Sequence, residues 1–210
     1  MEATRVTVAD VADVGPDAIA LRLESPAGFE ARPGQFVKLE ISVEGEPASR
    51  FYTISSPTVD ETFELTVGID PDGDVSPHLR TVEPGATVTL SGPYGNAYYA
   101  DESSVLLLAG GPGIGAAIGV AERALADGAA VALVYRDDAP IHADRLAALA
   151  SDASVRIVDD ETNLTAAVSD VYAADQQAFL YGFADFLDAA IDALEAAGGS
   201  AAMAKIENYG

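Results

Sequence analysis

Up to about residue 100 the chain alternates apolar and polar positions in short runs: TRVTVADV, AIALRLES, QFVKLEISV, RFYTISS, TFELTVGI and ATVTLSGP. A period of two puts successive side chains on opposite faces of a strand, and the intervening VGPD, PAG, EGEP, DPDG and EPG stretches are turn formers. Six such runs with almost no helical period predict a small antiparallel barrel. After residue 103 the period changes: SVLLLAG is apolar throughout, as a strand covered on both faces would be, and GIGAAIGVAERALADG is helix-like. VALVYR, HADRLAALA, SVRIV, TNLTAAVSDVY, AFLYG, FADFLDAAIDALEAAGG and AAMAKIE follow. Strand and helix in alternation predict a parallel sheet covered on both faces. The expected architecture is a six-stranded antiparallel β-barrel over 1–100 and an α/β domain with a five-stranded parallel sheet over 101–210, joined near Ala100 without a long linker.

No segment supplies the roughly 20 uninterrupted apolar residues of a membrane helix. The start, MEATRVTVADV, lacks a basic region followed by an apolar one, so a cytoplasmic protein without secretory signal or membrane insertion is expected. Charge sharpens this: 34 acidic against 11 basic residues give a formal net charge of −23, and the acids occur in both halves. Such a surface repels phosphate backbones, which argues against nucleic acid as a partner. Molar salt shortens the Debye length to about 3 Å and screens the self-repulsion. The composition resembles that of proteins from salt-accumulating haloarchaea, and a halophilic protein is expected. Cysteine is absent, which removes disulfides, thiolate zinc sites and cysteine-ligated iron–sulfur clusters.

Candidate chemistry concentrates in a few motifs. AGGPGIGAA, residues 109–117, lies between a buried strand and an alanine-rich helix, where glycines permit a sharp turn and close approach and the helix N-terminus favours a phosphate. Its glycines, at 110, 111, 113 and 115, do not have the strict dinucleotide spacing, and no lysine–hydroxyl pair makes it a Walker loop. A tight strand-to-helix turn is the competing reading. The second strand of the α/β half ends in VYRDDAP; Arg136 would pair with a 2′-phosphate, whereas Asp137 or Asp138 would bond a ribose hydroxyl and repel that phosphate. The choice between NADH and NADPH stays open at this level. His78 and His142 have no metal-ligand partners in the sequence and read as structural or exposed.

RFYTISSP in a barrel strand, then GDVSPHL, GPYG and GGPGIG, in that order across the chain, resembles the ferredoxin-NADP reductase family of flavoproteins. The resemblance implies roles residue by residue. Arg50, Tyr52, Thr53 and Ser56 match R-x-Y-[ST]-x-x-S: Arg50 for the FAD pyrophosphate, Tyr52 for the isoalloxazine ring and Thr53 for a hydrogen bond near N5, with alternate residues of the strand facing the flavin. Gly73, Val75 and Ser76 match the pyrophosphate segment G-x-V-S. Gly92, Pro93 and Gly95 match the turn ending the barrel. Gly110, Gly111, Gly113 and Ile114 match the nicotinamide-nucleotide loop. Where the family often carries C-G-P, this chain has Tyr181, Gly182 and Phe183, so the glycine survives without the thiol or proline. The ending KIENYG is similar to family endings in which an aromatic covers the flavin; Tyr209 would do this, against a frayed terminus as the alternative. The implied reacting centre contains Thr53, Tyr181 and Tyr209. The implied activity is hydride transfer from NADH or NADPH to FAD and onward electron transfer to a carrier such as ferredoxin. A non-catalytic flavin-binding redox sensor, or an electron-transfer subunit of a larger complex, is the alternative.

Overall fold

The alternating runs of the first half become six strands in the computed structural model, which describes residues 2–43 and 45–210. They are β1 (Thr4–Gly15), β2 (Ala18–Glu24), β3 (Phe36–Val43), β4 (Glu46–Thr53), β5 (Thr62–Gly68) and β6 (Thr87–Tyr94). Their order is β4-β3-β6-β1-β2-β5, all pairings antiparallel. The edge strands β4 and β5 are brought together by an isolated bridge, Ile54 to Leu65, which closes the sheet into the expected barrel. Its interior holds one apolar cluster that includes Val8, Leu21, Val37, Leu39, Ile54, Phe63 and Leu90. A five-residue helix, α1 (Ser76–Arg80), interrupts the strands; the sequence reading contained no helix there. Pro77 at its start supplies a preset φ at a position that needs no amide donor.

The second half begins with β7 (Ser104–Gly110) and continues through α2 (Ile114–Ala126), β8 (Ala130–Arg136), α3 (Ala143–Leu149), β9 (Ser154–Val158), α4 (Leu164–Ser169), β10 (Gln177–Gly182), α5 (Ala184–Ala196) and β11 (Lys205–Asn208). The five strands form a parallel sheet in the order β11-β10-β7-β8-β9. β7 is continuous in apolar residues because both its faces are covered: Val105, Leu107 and Ala109 pack toward α2 and α3, while Leu106 and Leu108 pack toward α4 and α5. Helices α2 and α5 end in the same way. Gly128 and Gly198 take positive φ, and the next residue donates back to Ala124 or Leu194, so the last carbonyls are bonded. No helix among the described residues is long and apolar enough to cross a membrane.

Helix α3 fastens the two sheets together. Arg145 donates to Glu64 of β5 (2.8 Å), to Glu122 of α2 (2.8 and 2.7 Å) and to the Ser55 carbonyl (2.7 Å). Beside it, His142 Nε2 lies 2.8 Å from Thr66 Oγ1, and its amide donates to the Val14 carbonyl. Burial, reinforced by the Arg145 charge, pushes the His142 imidazole down to about 4, so it is neutral at ordinary pH.

Candidate functional site

Between β4, the β5–α1 segment and the C-terminal strand lies a cleft of about 1070 Å³. That volume is at the upper end for small-molecule sites. Pairing partners across an antiparallel ladder share a face, so the registers Leu39–Arg50 and Val37–Tyr52 put Arg50 and Tyr52 on the core-facing side of β4. Phe51 and Thr53, paired with Lys38 and Phe36, stand on the other side. The cleft wraps the barrel's edge and takes side chains from both faces, rather than from alternate residues alone.

Among the sequence-derived residues, Arg50, Tyr52, Thr53, Gly73, Val75 and Ser76 line this cleft together with Tyr209. Arg50 donates to the Ser49 carbonyl and, among the described residues, has no carboxylate within ion-pair distance. Lys38 likewise has no carboxylate within ion-pair distance among the described residues; the sequence did not point to it because it lies in no motif, twelve residues before Arg50. Burial pushes the Tyr52 phenol up to about 12, opposed by Arg50, so its ring stays neutral. Ser76 Oγ accepts from the Asp70 amide at 3.0 Å, which leaves its own O–H to donate. Asp17, Asp70, Asp74 and Glu207 also line the cleft, and burial raises the Glu207 carboxyl above its ordinary value. Thr53 is buried, and the buried Tyr209 hydroxyl beside it makes no complete hydrogen bond. The Tyr209 amide donates to the Gly182 carbonyl and its ring meets Phe183 edge to face at 6.2 Å.

The remaining residues stand elsewhere. Ser56 accepts the Glu64 amide at 2.7 Å and ties the end of β4 to β5. Tyr181 is fully buried; its hydroxyl donates to the Ala97 carbonyl at 2.5 Å, and its ring stacks with Phe179. It joins β10 to the segment leaving the barrel and does not line the cleft. Ile114 is buried at the start of α2. Gly113 is where the loop meets β10: a Cβ there would lie 2.2 Å from the Tyr181 carbonyl oxygen. Gly111, at φ 54°, faces open space. Gly110 and Gly182 both lie against the Phe186 ring, leaving no room for a Cβ. Arg136 lies over the same ring at 5.1 Å and pairs with Asp160 at 3.4 Å. Pro112 of the loop and Phe183 reach the cleft, so the glycine loop and the β4 residues border one cavity. Pro112, Phe183 and Asn208 were not singled out as ligand contacts from sequence; only their neighbours carried a signal.

The donor set fits an elongated ligand with an aromatic ring at one end and an anionic centre. The cleft is lined by two cations without a carboxylate partner among the described residues, Arg50 and Lys38, by the Ser76 hydroxyl and the Gly73–Ser76 segment, and by a neutral phenol, a threonine and the apolar Pro112 and Phe183. FAD has this form.

Residues 5–99 match the oxidoreductase FAD-binding domain. The glycine betaine monooxygenase reductase subunit of Chromohalobacter salexigens is 41% identical over 95 residues, 43% of this chain and 26% of that protein. The ferredoxin reductase component of the 3-ketosteroid-9-alpha-monooxygenase of Mycolicibacterium smegmatis is 30% identical over 217 residues, 91% of this chain and 61% of that protein. The chain thus spans about a quarter of the length of the first and three fifths of the second. In fold, it superimposes on a ferredoxin NADP+ reductase of Neisseria gonorrhoeae, solved with FAD and NADP, with a TM-score of 0.83, 17% identity and full coverage of both chains.

Proposed function

We propose, from the match of residues 5–99 to the oxidoreductase FAD-binding domain, that the protein is an NAD(P)H-dependent flavin oxidoreductase of the ferredoxin reductase type that passes electrons to a protein carrier such as ferredoxin. The observation that carries this reading is the shared cavity: Arg50 and Lys38, without a carboxylate partner among the described residues, border the same space as Tyr52, Thr53 and Pro112 of the glycine loop. FAD held there would supply the acceptor for a nicotinamide hydride and the donor of electrons to a carrier.

The chain's own residues hold and shield that chemistry. Arg50 and Lys38 neutralise the diphosphate, and the Ser76 hydroxyl donates to it. Tyr52 packs against the ring system, its phenol kept neutral by burial. Thr53 offers a hydroxyl at a buried position, where a hydrogen bond is stronger than in water. Tyr209, which lines the cleft beside Phe183, would cover the ring and exclude water. Tyr181 acts through others, as a positioning residue that fixes β10 against the barrel exit. The glycine loop, open at Gly111 and opening α2, receives the nucleotide's phosphates. The spread of acidic residues supports a salt-adapted, cytoplasmic protein of haloarchaeal type, in which salt screens repulsion from an acidic carrier.

A second reading, a flavin-binding redox sensor or electron-transfer subunit, draws on Tyr209 and Phe183, which narrow the approach to Thr53. One experiment separates them: load the protein with FAD in molar salt and add NADH or NADPH without oxygen. Bleaching of the yellow flavin band by either nucleotide is expected. A yellow protein bleached by neither is the sensor; a protein that retains no flavin ends both readings.

A further inference from the structure

Resting on the reading of a nicotinamide-nucleotide site, the geometry points to selection of NADH over NADPH, with Asp160 and Asp137 as the residues that set it. In a doubly wound sheet a dinucleotide lies outside the carboxyl ends of the strands, and its adenosine ribose meets the end of the strand after the glycine loop. Here that end is fixed by register. Gly110 of β7 pairs with Arg136 of β8, and Arg136 pairs with Val158 of β9. The Phe186 ring packs against Gly110 and carries the Arg136 guanidinium on its face. A nucleotide leaving the glycine loop toward β8 therefore meets Arg136 first.

The two candidate nucleotides differ there by one group: a ribose 2′-hydroxyl in NADH, a dianionic phosphate in NADPH. Arg136 is the one basic residue among the six rim positions 136–138 and 159–161, and it is engaged twice, by Asp160 at 3.4 Å and by Phe186. Five carboxylates share the rim: Asp137, Asp138, Asp159, Asp160 and Glu161. Their positions are held by local bonds. Asp137 accepts from the Tyr135 hydroxyl and the Ala139 amide, both at 2.8 Å. Asp138 accepts from the Asp160 amide at 3.0 Å, joining the two loops, and Asp159 accepts from the Thr162 amide at 2.8 Å. A carboxylate offers about four acceptor sites, so Asp137 still has capacity for a ribose hydroxyl. A phosphate would have to displace Asp160 from Arg136 and sit among like charges, which disfavours it.

The test is binding of ADP-ribose and 2′-phospho-ADP-ribose to the FAD-loaded protein by calorimetry, at the lowest salt that keeps it folded and again in molar salt. ADP-ribose is expected to bind tighter by at least about tenfold, with the ratio narrowing as salt rises. Asp160→Asn, at a side chain 69% exposed and outside both cores, releases Arg136 and should narrow the ratio further. Equal or tighter binding of the phosphorylated ligand overturns the inference, as does a ratio that Asp160→Asn leaves unchanged. Failure of both ligands to bind overturns it too, and bleaching of the flavin by NADH in the same preparation then shows whether the oxidoreductase reading survives alone.

Discussion

The cleft on the barrel and the rim of the parallel sheet treat their cations in opposite ways. In the cleft, Arg50 and Lys38 face a cavity of about 1070 Å³ with no carboxylate partner among the described residues. At the rim, Arg136 is paired with Asp160 and laid on Phe186. Five basic residues, Arg5, Arg32, Lys38, Arg50 and Arg156, have no carboxylate within ion-pair distance among the described residues, and of these Arg50 and Lys38 line the cleft. On the reading proposed above, the cleft would take a diphosphate and the rim around Arg136 a neutral ribose.

The largest expected effect breaks this comparison at the cleft. Arg50→Ala should lower FAD affinity by roughly 10- to 100-fold, since charge-assisted bonds to phosphate are the strong ones. Arg136→Ala should leave FAD affinity within about twofold, because it lies outside the cleft. Flavin fluorescence titration reads both, and equal losses would erase the distinction.

The seam between the two regions is next. The unfolded imidazole of His142 takes up a proton below about 6.5, whereas the native one stays neutral to about 4. Stability is therefore complete above 6.5 and is lost as pH falls toward 4, by roughly 3 kcal/mol in all. His142→Asn, which tolerates the left-handed backbone at φ 57°, should remove that share of the acid sensitivity in urea unfolding at constant salt.

A smaller contrast lies within the glycine loop. Gly113→Ala drives a Cβ into the Tyr181 carbonyl and should cost about 1–3 kcal/mol of stability. Gly111→Ala meets no atom within 4 Å and bears only its backbone strain, about 1–2 kcal/mol, so its larger effect should be on nucleotide binding. The smallest effect is expected from Lys38→Ala, about a tenfold loss of FAD affinity, because a flexible ammonium makes a single point contact where arginine makes a fork.

The fold was legible because both periods are clean. Alternation gave β1 to β6, and SVLLLAG announced a strand buried on both faces. Helix α1 was not legible, since five residues carry no helical period and SPHLR looks like turn chemistry. Of the site, motif residues were readable one by one, but not which would share a cavity. Lys38 reaches the cleft through its pairing with Phe51, a register that no local pattern states. Tyr181 took a place in the sequence reading from its position in LYGF, yet its hydroxyl bonds Ala97, 84 residues away. The His142–Thr66 and Arg145–Glu64 contacts likewise span 76 and 81 residues, and only packing of α3 on β5 creates them.

On the proposed reading, Arg50 and Lys38 hold a flavin dinucleotide by its diphosphate. Titrating the FAD-free protein in molar salt with FAD and with riboflavin, which has the same ring system and no phosphate, tests it directly. FAD is predicted to bind at least about 100-fold more tightly; equal affinity for the two ligands would contradict it.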